Sequence, residues 1–97
     1  MPQVSEKVIE SYLRGKCQAA DALCLKFASG TRGAPDRVVI YKGAVHFIEL
    51  KKPGLDVVKG GLQEYFRKKL LQHGATYHLI NSKEGVDQFV KELKRHS

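Results

Sequence analysis

Apolar residues recur at helical spacing at the start of the chain. Val4, Val8, Ile9, Tyr12 and Leu13 fall on one side of a segment running from about Val4 to Lys16. Ser5 is placed to cap that helix, and Gly15 to stop it. Ala22 to Ala28 is apolar but too short for an independent helix, which predicts a strand. Ser29 to Pro35 holds two glycines and a proline in seven residues and reads as a loop. Arg37–Tyr41 and Ala44–Lys51 then read as two strands joined by Lys42-Gly43, and so short a connection predicts an antiparallel hairpin. Beyond Pro53-Gly54 and Gly60-Gly61, the spacing predicts a helix over Leu62–His73. Leu62, Tyr65, Phe66, Lys69 and Leu70 lie along one side of it, and Gly74 is its C-cap. Ala75–Ile80 is a last strand. Ser82–His96 is a last helix, with Val86, Phe89, Val90 and Leu93 turned inward.

The order αβββαβα predicts an α/β fold, a mixed four-stranded sheet flanked by helices. A final strand reached through a helix is expected to run parallel to its neighbour. Nothing in the chain looks like a linker, a repeat or a low-complexity tract, so residues 1–97 are expected to form one domain.

Charge narrows the class of partner. Lys and Arg outnumber Asp and Glu by 17 to 10, a formal net charge of +7 that favours polyanions. No apolar run approaches the roughly 20 residues that span a bilayer, and no secretory signal is evident, so nucleic acid is the expected partner and the cytoplasm the expected location. Cys17 and Cys24 match neither zinc-ligand spacing nor a disulfide framework, and are expected to be reduced thiols.

Candidate chemistry lies in Asp36 and Glu49-Leu50-Lys51. Alternation along the strand turns Glu49 and Lys51 to one face with Val45 and Phe47, and His46, Ile48 and Leu50 to the other. Asp36 enters the neighbouring strand, so two carboxylates and a lysine can converge. Paired carboxylates repel unless a cation lies between them, and hard oxygen ligands favour Mg²⁺ or Mn²⁺. The backbone carbonyl of Leu50 can supply a further oxygen. A Glu-x-Lys on a strand is usually a solvated ion pair, and Pro-Asp an ordinary turn dipeptide. The combination stands out because Glu49 and Lys51 end an apolar strand whose hairpin partner begins with the aspartate. Glu6 and Gln63 sit at the edges of two helical apolar stripes, where a polar side chain needs a partner.

At these residues the sequence resembles a known family. Gly33-x-Pro35-Asp36, Glu49-x-Lys51, the later Gln63 and the early helical Glu6 look like the virus-type replication-repair nuclease domain, VRR-NUC, of the PD-(D/E)XK nuclease superfamily. The resemblance covers nearly the whole chain. It implies a restriction-endonuclease-like core and Mg²⁺- or Mn²⁺-dependent cleavage of DNA phosphodiesters. By the same resemblance Asp36 and Glu49 hold metal, Lys51 is catalytic, and Gln63 and Glu6 complete the site. A stand-alone copy resembles the phage form and, in size, the Holliday-junction resolvases. That implies a homodimer acting on branched DNA in replication, recombination or repair, inside a bacterial or phage-infected cell.

Arg32, Gly33, Arg37, Lys52, Lys59 and Arg67 are the residues expected to follow the DNA backbone, with Lys26, Lys68 and Lys69 beside them. The histidines are scattered, and none is assigned to catalysis. The rival from another class is a non-catalytic basic module that binds nucleic acid. Asp36 argues against it, since two carboxylates in a basic surface repel phosphate unless a metal intervenes.

Overall fold

The computed structural model describes residues 4–95. The elements are α1 (Glu6–Ala19), β1 (Leu23–Lys26), β2 (Arg37–Tyr41), β3 (Ala44–Leu50), α2 (Leu62–Gln72), β4 (Thr76–Ile80) and α3 (Lys83–Arg95). This is the expected order, an α/β fold with one mixed sheet. The predicted end of the last helix at His96 lies outside the described residues.

Ser5 caps α1, its Oγ accepting from the Val8 amide at 3.2 Å. Gly15 does not stop the helix, which continues to Ala19. Cys17, one turn beyond Leu13, is fully buried with Leu13 and Ile9, and that packing outweighs the roughly 1 kcal/mol helix penalty of glycine. The chain turns out at Asp21, where φ is +60°. The inward stripe is therefore Ile9, Leu13 and Cys17, while Val4 and Val8 are exposed. Both cysteines are free.

The strands lie in the order β1-β2-β3-β4. Strands β1, β2 and β3 pair antiparallel, and the Lys42-Gly43 turn takes φ of +49° and +84°, the left-handed pair that a tight hairpin requires. Strand β4 runs parallel to β3, with Phe47 beside Tyr77 and Glu49 beside Leu79. One face of the sheet presents Val39, Ile48, Leu50 and Ile80 to α1 and α3. This is the core, closed by Val86, Phe89, Val90 and Leu93 of α3. The other face carries Val38, Ile40, Val45, Phe47 and Glu49. Helix α2 packs over its β4 end, leaving Leu23, Leu25 and Val45 about half exposed on the β1–β3 side.

Helix α2 turns Gln63, Phe66, Arg67 and Leu70 inward, while Leu62 and Tyr65 are exposed. The predicted stripe was rotated by about one position. Gly61 caps the helix without a side chain, and Glu64 reaches back to accept from the Gly60 amide at 3.0 Å. The 51–61 connection is held down by buried Val57 and by Asn81, whose Nδ2 donates to the Leu55 carbonyl at 2.8 Å. Among the described residues no helix is long and apolar enough to cross a membrane.

Candidate active site

Asp36 is fixed by the sheet before it does any chemistry. Its amide donates to the Ile48 carbonyl and its carbonyl accepts from the Phe27 amide, each at 3.0 Å, so the ladder runs one residue beyond β2. Buried Pro35 precedes it, and its Oδ2 accepts from the Leu50 amide at 2.8 Å. The aspartate is thereby turned across β3 toward Glu49, close enough for its carboxyl to act on that of Glu49.

Glu49 is 1% exposed, the one buried charged or polar residue among those described. Its Oε2 accepts from Gln63 Nε2 at 3.3 Å, which ties α2 to the end of β3. Its Oε1 is buried with no hydrogen-bond partner. Burial and the Asp36 carboxyl push the Glu49 carboxyl up to about 9, with Glu6 adding to the rise and Lys51 opposing it. Glu6, half-buried on the Ile9 and Leu13 stripe of α1, and Lys51, at the end of β3, thus both act electrostatically on Glu49. All five residues singled out in the sequence (Asp36, Glu49, Lys51, Gln63 and Glu6) come to one end of the sheet.

A carboxyl held protonated near neutrality, with one oxygen buried and unpartnered, fits a site where a cation displaces a proton. The donors are hard oxygens, suited to Mg²⁺ or Mn²⁺. Among the described residues no group of three or more His, Cys, Asp or Glu converges as a cage, so further ligands would come from backbone oxygen, water and phosphate.

Gly33 has a structural reason besides any contact with DNA. At φ +87°, a Cβ there would meet the Leu62 carbonyl oxygen at 2.6 Å. The glycine lets the 29–35 loop lie against the first turn of α2, bringing Asp36 and Gln63 to the same place.

The basic residues divide. Arg32, Lys52 and Lys59 are exposed, and Arg32 with Lys26 and Asp36 lines a recess of about 290 Å³. Arg37 points instead to the helical face, where its Nε donates to Glu10 Oε2 at 2.9 Å and its side chain is 11% exposed. Arg67 pairs with Asp56 at 3.6 Å and lies over the Tyr77 ring, 5.9 Å from its centroid. These two arginines are engaged within the fold.

Two features went unread in the sequence. His46 Nδ1 and His78 Nε2 meet at 3.2 Å on the face opposite Glu49, a contact that only the β3–β4 register creates. Tyr77 stands on the Glu49 face, its hydroxyl buried without a partner. Burial and the charge of Glu49 hold that hydroxyl well above its usual range.

Comparison with known proteins bears on this arrangement. No protein-family model matches the chain, and no curated protein does. A solved structure described as a VRR_NUC domain is similar over 89% of this chain and 94% of that one, with TM-score 0.79 and 25% sequence identity. The chain thus resembles a VRR-NUC domain over nearly its whole length, and its fold is that of a nuclease family.

Proposed function

We propose that the protein is a Mg²⁺- or Mn²⁺-dependent endodeoxyribonuclease. The observation that carries this is the buried Glu49 carboxyl, one oxygen unpartnered, on which the charges of Asp36 and Lys51 both act. The likeness in fold to a VRR_NUC domain supports it.

Asp36 and Glu49 would hold the ion, with the Leu50 carbonyl as a backbone oxygen. In an extended strand a residue's N–H and C=O point to the same side, and the Leu50 N–H points at Asp36. A bound divalent ion would polarise the scissile phosphate and lower the pKa of water. Gln63 fixes the Glu49 rotamer through Oε2. The Lys51 ammonium stabilises charge building on the phosphate, or after losing a proton accepts one from the attacking water. Glu6 places a further negative charge within electrostatic reach of Glu49 and would add an acceptor for waters there. Arg32, Lys52 and Lys59, with the backbone at Gly33, follow the DNA strand from the surrounding surface.

The substrate class proposed is branched or junction DNA, cut by a homodimer in replication, recombination or repair. The half-exposed Leu23, Leu25 and Val45 form an apolar sheet face of the kind that a second copy covers. The test is incubation with labelled duplex, forked and four-way-junction DNA in Mg²⁺, Mn²⁺ or EDTA, beside Lys51→Ala. Metal-dependent cutting that the variant lacks supports the reading. Tight binding with no cutting in either metal points to the basic binding module.

A further inference from the structure

Two buried polar atoms among the described residues have no hydrogen-bond partner, Glu49 Oε1 and the Tyr77 hydroxyl. Native interiors rarely leave such groups unpaired, and two on the same face of one sheet invite a common explanation. The parallel register sets Tyr77 beside Phe47 and Leu79 beside Glu49. Tyr77 is therefore a diagonal neighbour of Glu49, a spacing that a long side chain can span. The Arg67 guanidinium of α2 lies over the ring and is itself paired with Asp56 in the 51–61 connection.

The two orphaned atoms do not bond each other directly. One water between them would satisfy both, accepting from the tyrosine O–H and donating to the carboxylate oxygen. That oxygen keeps a second lone pair for a cation.

We propose that Tyr77 is a positioning residue for Glu49, holding the Oε1 side of the carboxylate through a bridging water as Gln63 holds the Oε2 side directly. The inference rests on the reading of Glu49 as a metal ligand. With both oxygens held, the carboxylate is fixed in the rotamer that faces Asp36. Ligand-orienting partners of this kind commonly change metal affinity by 10–100-fold when removed.

The experiment titrates Mn²⁺ calorimetrically into wild type, Tyr77→Phe and Glu49→Gln, with a thermal melt of each metal-free protein. Phenylalanine keeps the ring, the Arg67 contact and the packing, and deletes only the hydroxyl. The expected result is Mn²⁺ binding about 10-fold weaker in Tyr77→Phe, binding lost in Glu49→Gln, and a metal-free Tm in Tyr77→Phe no lower than wild type. Equal Mn²⁺ affinity in wild type and Tyr77→Phe overturns the role of Tyr77 while leaving Glu49 as a ligand. A metal-free Tyr77→Phe that melts well below wild type also overturns it, because the hydroxyl then serves the fold. Wild type and Glu49→Gln binding Mn²⁺ equally overturns the metal reading of Glu49, and the role of Tyr77 with it.

Discussion

Gly33 passes so close to Leu62 that a Cβ on the glycine would lie 2.6 Å from the Leu62 carbonyl oxygen. The two residues belong to segments 29 positions apart in the sequence. Their contact couples the loop that delivers Asp36 to the helix that delivers Gln63. Gly33→Ala meets both a left-handed φ and backbone atoms that cannot swing aside. It should destabilise the fold by about 1–3 kcal/mol and weaken cleavage by displacing Asp36 from Gln63. Gly30→Ala is the control: it shares the positive φ, but a Cβ there meets nothing within 4 Å. Chemical denaturation of the two variants checks this, and equal losses would refute the contact as the cause.

Glu49 makes stability and metal binding depend on pH in opposite directions. Its carboxyl rises from 4.5 to about 9 on folding, so between those values the folded state holds a proton that the unfolded state has lost. Stability from this group is full below about pH 4.5 and falls as pH rises toward 9, by up to ~1.4 kcal/mol per unit. Mn²⁺ competes with that proton, so its affinity should rise up to about tenfold per pH unit from 6 to 8. Titration in buffers of different ionisation enthalpy should show close to one proton released per ion. Glu49→Gln should stabilise the metal-free protein at pH 8 by at least about 1 kcal/mol. A pH-independent affinity would contradict this picture.

Arg37 and Arg32 should separate stability from DNA binding. Arg37→Gln breaks a largely buried pair with Glu10 and should cost about 1–3 kcal/mol of stability, with little change in DNA affinity. Arg32→Gln leaves the fold unchanged, weakens DNA binding, and reduces the slope of log K against log salt by about one. Fluorescence anisotropy across salt concentrations, paired with thermal melts, distinguishes the two. The reverse assignment would place the DNA on the helical face.

The uncovered sheet face makes a prediction about assembly. Leu25→Glu or Val45→Glu puts a charge on an exposed apolar position without touching Asp36, Glu49 or the core. Each should convert a dimer to a monomer in light scattering after size exclusion, while the circular dichroism spectrum is unchanged. A wild-type monomer at tens of micromolar would remove the homodimer from the account.

Much of the fold was legible because its periods are clear. The hairpin over Arg37–Leu50 and the inward face of α3 read directly from alternation and from the positions of Val86, Phe89, Val90 and Leu93. So did the parallel pairing of β4, which follows from a helical connection. The helix ends and stripes were less legible. Gly15 lies inside α1 because Cys17 is buried, and burial at one position is tertiary information. Helix α2 turns Gln63 and Arg67 inward and Leu62 and Tyr65 outward, because Gln63 bonds Glu49 and Arg67 pairs with Asp56. Hydrophobicity alone points the other way.

The five candidate site residues were singled out from strand parity, two helical positions and a family resemblance, and the structure places them at one end of the sheet. Tyr77 and the His46–His78 pair were not found, since both depend on the β3–β4 register, which local pattern does not fix. Arg37 and Arg67 could not be told from free surface cations without knowing that Glu10 and Asp56 stand opposite them.

The central claim is that Asp36 and Glu49 together hold the ion that cuts DNA. The most direct measurement is single-turnover cleavage of a labelled four-way junction in Mn²⁺ by wild type, Asp36→Asn and Glu49→Ala, with binding measured on the same preparations. The account predicts cleavage by wild type that EDTA abolishes. Both variants should lose it by at least about 10²-fold while retaining their fold and most of their DNA affinity. Cleavage at the wild-type rate in either variant would contradict it.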